Sequence, residues 1–92
     1  MDDFSLAKID ANPTTIKTLK KIDGSIRKQV SNALERFASN PVQPTLKFEK
    51  ITNSHILYSI RASLHIRIYM ANYEDYLMTI VHIGNHDIPE GF

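Results

Sequence analysis

At 92 residues and without cysteine, the chain has room for one domain and none for a disulfide or a thiolate metal site. Its 42% apolar content is strongly patterned, which argues against disorder, and no apolar run reaches the ~18 residues of a membrane span. Lys and Arg number 11 against 10 Asp and Glu, so any contact with nucleic acid has to come from local placement rather than bulk charge.

The opening Met1-Asp2-Asp3-Phe4 lacks the basic and apolar regions of a signal peptide, and the expectation is a single domain, 1–92, in the cytoplasm. Phe4, Leu6 and Ile9 suggest a short edge strand. Asn12-Pro13 reads as a helix start, with Asn as cap and Pro at the first helical position. Ile16, Leu19 and Ile22 follow at helical spacing. Asp23-Gly24-Ser25 then closes one helix and caps the next. Ile26, Val30, Ala33, Leu34 and Phe37 form the apolar stripe of a second helix, which Asn40-Pro41 ends. Val42–Thr45 reads as a loop. Leu46, Phe48 and Ile51 mark a strand, and Asn53-Ser54 a turn.

Leu57–Tyr69 is the most informative segment. It reads as two strands joined by a short turn, with apolar residues at 56, 58 and 60 and again at 64, 66, 68 and 70. Strand side chains alternate faces, so Arg61, His65 and Arg67 fall together on the face away from the apolar one. A three-residue turn at Ala62–Leu64 satisfies that constraint and sets Arg61 opposite His65, Ser59 opposite Arg67 and Leu57 opposite Tyr69. Asn72–Asp75 reads as a polar turn. Leu77, Thr79, Val81 and Ile83 alternate as the core side of a last strand, with Met78, Ile80 and His82 on the other side. In that register His65 faces His82 and Arg67 faces Ile80. Two histidines without a third ligand make a poor zinc site, and no metal or cofactor is expected. The fold class is α+β: two N-terminal helices packed on one face of an antiparallel four- to five-stranded sheet, with the other face open as a site or a partner surface.

Charge is uneven along the chain. Lys17, Lys20, Lys21, Arg27 and Lys28 crowd the helices, whereas residues 72–92 carry Glu74, Asp75, Asp87 and Glu90 and neither Lys nor Arg. The basic helical surface suits salt-sensitive RNA docking, and serves equally as a solvated face.

Helix–helix–meander order resembles the RelE/ParE superfamily of bacterial toxins. The words that carry the resemblance are Leu46-Lys47-Phe48-Glu49-Lys50-Ile51, Leu57-Tyr58-Ser59-Ile60-Arg61 and Val81-His82-Ile83-Gly84-Asn85-His86, with Ala33-Leu34-Glu35-Arg36-Phe37 and Asn40-Pro41 before them. The resemblance spans about residues 15–87. It implies the toxin of a type II toxin–antitoxin system, with a cognate antitoxin as partner. RelE-like members are ribosome-dependent mRNA endoribonucleases, whose partners are the ribosome and mRNA. ParE-like members poison DNA gyrase, and a degenerate member would only bind its antitoxin. Carried over residue by residue, the nuclease branch implies Glu49 as base, Arg67 on the scissile phosphate, Arg61 as a second cation and His86 as proton donor. Family nucleases often carry a tyrosine beside that histidine, where this chain has Asp87-Ile88-Pro89.

These residue types suit metal-free RNA cleavage. A base takes the 2′-hydroxyl proton, cations stabilise the phosphorane, and an acid protonates the leaving 5′-oxygen. Arginine bonds two phosphate oxygens at once. His65 and His82 could line such a site, and Tyr69 could stack a base. Plainer uses exist for each: Glu49 as an exposed carboxylate or an ion-pair partner of Arg67, Arg61 at a hairpin rim, His86 as a loop histidine.

Overall fold

The structure is a computed structural model and describes residues 8–11, 13–40, 42–52, 54–74 and 77–84. In chain order the elements are β1 (Lys8–Ala11), α1 (Pro13–Lys21), α2 (Gly24–Ser39), β2 (Glu49–Lys50), β3 (Leu57–Arg61), β4 (Arg67–Glu74) and β5 (Leu77–Gly84). A 3-10 turn, Pro44–Leu46, precedes β2. The sheet runs β1-β5-β4-β3-β2, with β1 parallel to β5 and every other pair antiparallel. This is the expected α+β sandwich of two helices on a mostly antiparallel sheet. None of the described helices is long and apolar enough to cross a membrane.

The α2 stripe packs as its spacing dictates. Val30, Ala33 and Phe37 are buried against Ile60, Ile68, Met70, Met78 and Ile80 of the sheet, with Ile26 and Leu34 half-buried at the margin. Asp23 caps the helix: its Oδ1 accepts the Ser25 backbone N–H at 2.7 Å. At the other end Asn40 is extended, as a residue before proline prefers. The first helix follows its pattern less closely. Leu19 and Ile22 are half-buried, but Ile16 is 42% exposed. The anchor of α1 is instead Thr15, buried, whose Oγ1 donates to the Ile80 carbonyl at 3.1 Å.

Leu46 enters the core from the 3-10 turn rather than from a strand, and Lys47 takes a left-handed conformation (φ 50°) to turn the chain into β2. Phe48 then packs edge-on to Phe37 and stacked on Tyr58, at 5.2 and 5.5 Å between ring centres. With Phe48 held on the helical side, strand alternation turns Glu49 to the opposite side.

Several details of the sheet differ from the sequence reading. The β3–β4 loop is Ala62–Ile66, not Ala62–Leu64, and pairs Arg61 with Arg67, Ser59 with Tyr69 and Leu57 with Ala71. The backbone N–H groups of Ala62 and Ser63 both donate to the Ile66 carbonyl, which closes the longer loop. His65 sits in that loop, exposed, and does not face His82. Asn72, Tyr73 and Glu74 belong to β4 rather than to a turn. In β5, Met78 and Ile80 are the buried residues, not the outward ones. The ladder with β4 runs Tyr69–His82, then Met70–Ile80, so Val81 is an extra residue there. This bulge reverses the alternation and lets both Ile80 and Ile83 pack toward the helices. Arg67 accordingly faces Gly84, not Ile80. The face away from the helices is not open at its middle: Leu57, Ser59, Tyr69 and Ala71 are all buried. Phe4 and Leu6 of the expected edge strand, and the cap residue Asn12, lie outside the described residues.

Candidate functional site

Two cross-strand rows form the non-helical face at one end of the sheet. The first contains Glu49 of β2, Ser59 of β3, Tyr69 of β4 and His82 of β5, each paired with the next. The second contains Arg61, Arg67 and Gly84 of β3, β4 and β5. Directly opposed residues of antiparallel strands share a face, with Cβ atoms about 4.5–5.5 Å apart. Arg61 and Arg67 therefore emerge side by side, away from the helices.

Arg67 does not stand upright. Its Nη1 donates to Glu49 Oε1 at 3.2 Å, although β3 lies between their strands. Neighbouring strands are about 4.8 Å apart, so the two side chains meet across β3. That explains why the Arg67 side chain is only 16% exposed while Glu49 remains 58% exposed. Arg61 is half-buried, and its Nε is buried without a hydrogen-bond partner among the described residues. Ser59 Oγ is in the same condition. Two cations directly opposed across a ladder repel, and the Glu49 carboxylate offsets part of that charge.

Tyr69 and His82 flank the arginine row. Tyr69 is 2% exposed, and the two rings are tilted with centres 5.8 Å apart. The sequence alternation places Ser59 and Tyr69 on this face, opposite Arg67 and Leu57; the structure keeps both on it and pairs them with each other.

The remaining candidates lie elsewhere. His65 is exposed in the β3–β4 loop, and His86 lies outside the described residues. Lys17, Lys20 and Lys21 are exposed on α1, and Arg27 and Lys28 on α2, in a region separate from the two rows. Arg27 already has a structural use there. Its Nε donates to the Leu19 carbonyl at 2.9 Å and its Nη2 to the carbonyls of Lys20 and Ile22, which closes the C-terminus of α1. Among the described residues no three His, Asp or Glu side chains are placed to hold a metal ion.

No protein-family model and no curated protein matches the chain. Solved structures do resemble it. The archaeal RelE–RelB complex from Pyrococcus horikoshii matches with a TM-score of 0.69 at 14% identity, over 91% of this chain and 99% of that one. The RelB–RelE antitoxin–toxin complex from Methanococcus jannaschii matches at 0.66 and 25% identity, over 83% and 88%. A YoeB/ParE toxin from Agrobacterium tumefaciens matches at 0.66 and 10% identity, over 87% and 99%. With element order, sheet order and these likenesses in agreement, the chain has the RelE/ParE-type toxin fold.

Proposed function

We propose that the chain is the toxin of a toxin–antitoxin pair and a ribosome-dependent mRNA endoribonuclease, held inactive by a cognate antitoxin. The observation that carries this reading is the opposed pair Arg61–Arg67 with Glu49 bonded to Arg67 on the same face. A phosphodiester between the two guanidinium groups relieves their repulsion and gives the half-buried Arg61 an acceptor. It also competes with Glu49 for Arg67, which frees the carboxylate to take the 2′-hydroxyl proton. The 2′-oxygen attacks phosphorus, and the arginines stabilise the charge that builds on the phosphorane. Each positioned acid or base contributes roughly 10²–10⁴-fold. The need for a 2′-hydroxyl confines the reaction to RNA. The resemblance assigns the third part, protonation of the 5′-oxygen, to His86. The fold shared with RelE–RelB complexes supports an antitoxin partner.

A second reading, a gyrase poison without nuclease activity, draws on the fold shared with the YoeB/ParE toxin. Induced expression separates the two. The ribonuclease stops translation within minutes and leaves mapped mRNA ends clustered within translated codons. The gyrase poison induces the DNA-damage response while translation initially continues, and that result would remove the nuclease reading.

A further inference from the structure

We infer that His82, rather than a residue beyond β5, is the general acid that protonates the leaving 5′-oxygen. This inference rests on the ribonuclease reading. Three observations on β5 converge on it.

The first is the bulge. Met78 and Ile80 are buried in the core, so an unbroken alternation would send residue 82 to the same side. The extra residue Val81 reverses the parity, and His82 pairs with Tyr69 on the site face. Bulges recur beside active sites, where they bend the strand locally and re-aim a side chain.

The second is Gly84. It sits opposite Arg67, and a Cβ built on it would lie 3.0 Å from Nε2 of His82. The imidazole thus leans along β5 into the space that a side chain at 84 would fill. That brings Nε2 to the level of Arg67, one strand away, about 4.8 Å between backbones.

The third is the order of groups across the sheet. Glu49 lies on β2 and His82 on β5, with Arg61 and Arg67 on the two strands between. An in-line displacement puts the attacking 2′-oxygen and the leaving 5′-oxygen on opposite sides of phosphorus. By strand order, a phosphate held over β3 and β4 has the strand of the carboxylate on one side and the strand of the imidazole on the other. Tyr69 packs against the His82 ring and holds its orientation.

The step balances. The 2′-oxygen bonds to phosphorus and its proton passes to Glu49. The bond from phosphorus to O5′ breaks, and imidazolium Nε2–H gives its proton to O5′. The products are a 2′,3′-cyclic phosphate and a free 5′-hydroxyl.

The test is single-turnover cleavage of ribosome-bound mRNA carrying either the normal bridging 5′-oxygen or sulfur in its place. A thiolate leaves without protonation. His82→Ala is expected to cut the oxygen substrate about 10²–10⁴-fold more slowly than wild type and the sulfur substrate at nearly the wild-type rate. Glu49→Gln is expected to be slow on both. Gly84→Ala keeps the imidazole but displaces it; it is expected to slow the oxygen substrate and to add little to His82→Ala. If His82→Ala does not fold, His82→Gln and Gly84→Ala give the same comparison. Equal slowing of both substrates, no slowing, or sulfur rescue of His86→Ala instead overturns the assignment. A wild-type protein that cuts neither substrate overturns the ribonuclease reading itself.

Discussion

β4 carries Ile68 and Met70 on one face and Arg67 and Tyr69 on the other, and the two faces are stabilised in different ways. On the helical face both side chains are fully buried among Val30, Phe37, Ile60 and Ile80. Burial of that kind contributes roughly 1.5–3 kcal/mol per large apolar side chain. On the other face two guanidinium groups are opposed, and Ser59 Oγ and Arg61 Nε are buried without partners among the described residues. Packing alone does not account for that arrangement, since an unsatisfied buried polar group costs about 1–3 kcal/mol. One face is thus held by apolar packing and the other buries polar groups among its apolar ones, and substitutions on the two faces should behave differently.

The largest effect on stability belongs to the helical face. Ile68→Ala leaves a cavity under α2 and is expected to cost about 2–5 kcal/mol, a large part of the roughly 5–15 kcal/mol that holds a domain together. Urea denaturation measures it. A loss below about 1 kcal/mol would mean that the core around Val30 and Phe37 can collapse onto the gap.

On the site face, Ser59→Ala removes a buried hydroxyl that has no partner among the described residues. It is expected to raise stability by about 1 kcal/mol, which corresponds to a melting temperature higher by roughly 4–8 °C. A lower melting temperature would mean that the hydroxyl is satisfied and that the face is less strained than its bonding suggests.

The smallest effect lies at the α2 cap, away from both faces. The Ser25 side chain and backbone N–H both bond to the Asp23 carboxylate and hold its pKa below the ordinary 3.8. A depressed carboxylate stabilises the fold above its unfolded pKa, and that contribution disappears as pH falls through the folded one. Asp23→Ala should therefore melt lower than wild type at pH 7, with the gap closing as pH drops below about 4. Melting curves across that range check it. A gap that persists in acid would assign the difference to the geometry of the cap rather than to its charge.

Alternation along Leu57–Arg61 and Arg67–Tyr69 carries the facing of each residue but not the pairing. A shift of two residues preserves every face, so loops of three and five residues satisfy the same pattern. The arginines were thus legible as face-sharing, and their direct opposition was not. In β5 the residues Leu77-Met78-Thr79-Ile80-Val81-His82-Ile83 are apolar at nearly every position, which leaves a bulge invisible to periodicity. That one residue decided which side Met78, Ile80 and His82 occupy. The stripe of α2 was legible because five apolar positions agreed. The face of α1 was not, because Thr15 is held by a hydrogen bond rather than by hydrophobicity. Arg27 shows the limit of reading a basic run as a surface: its guanidinium closes a helix end.

The most direct measurement is the mRNA cleavage rate of Arg67→Ala set beside its thermal stability. The ion pair with a 58% exposed Glu49 accounts for only about 0.2–1 kcal/mol of stability, whereas cleavage should fall at least about 100-fold. A folded Arg67→Ala protein that cuts mRNA at the wild-type rate would contradict the claim that this face of the sheet holds the scissile phosphate.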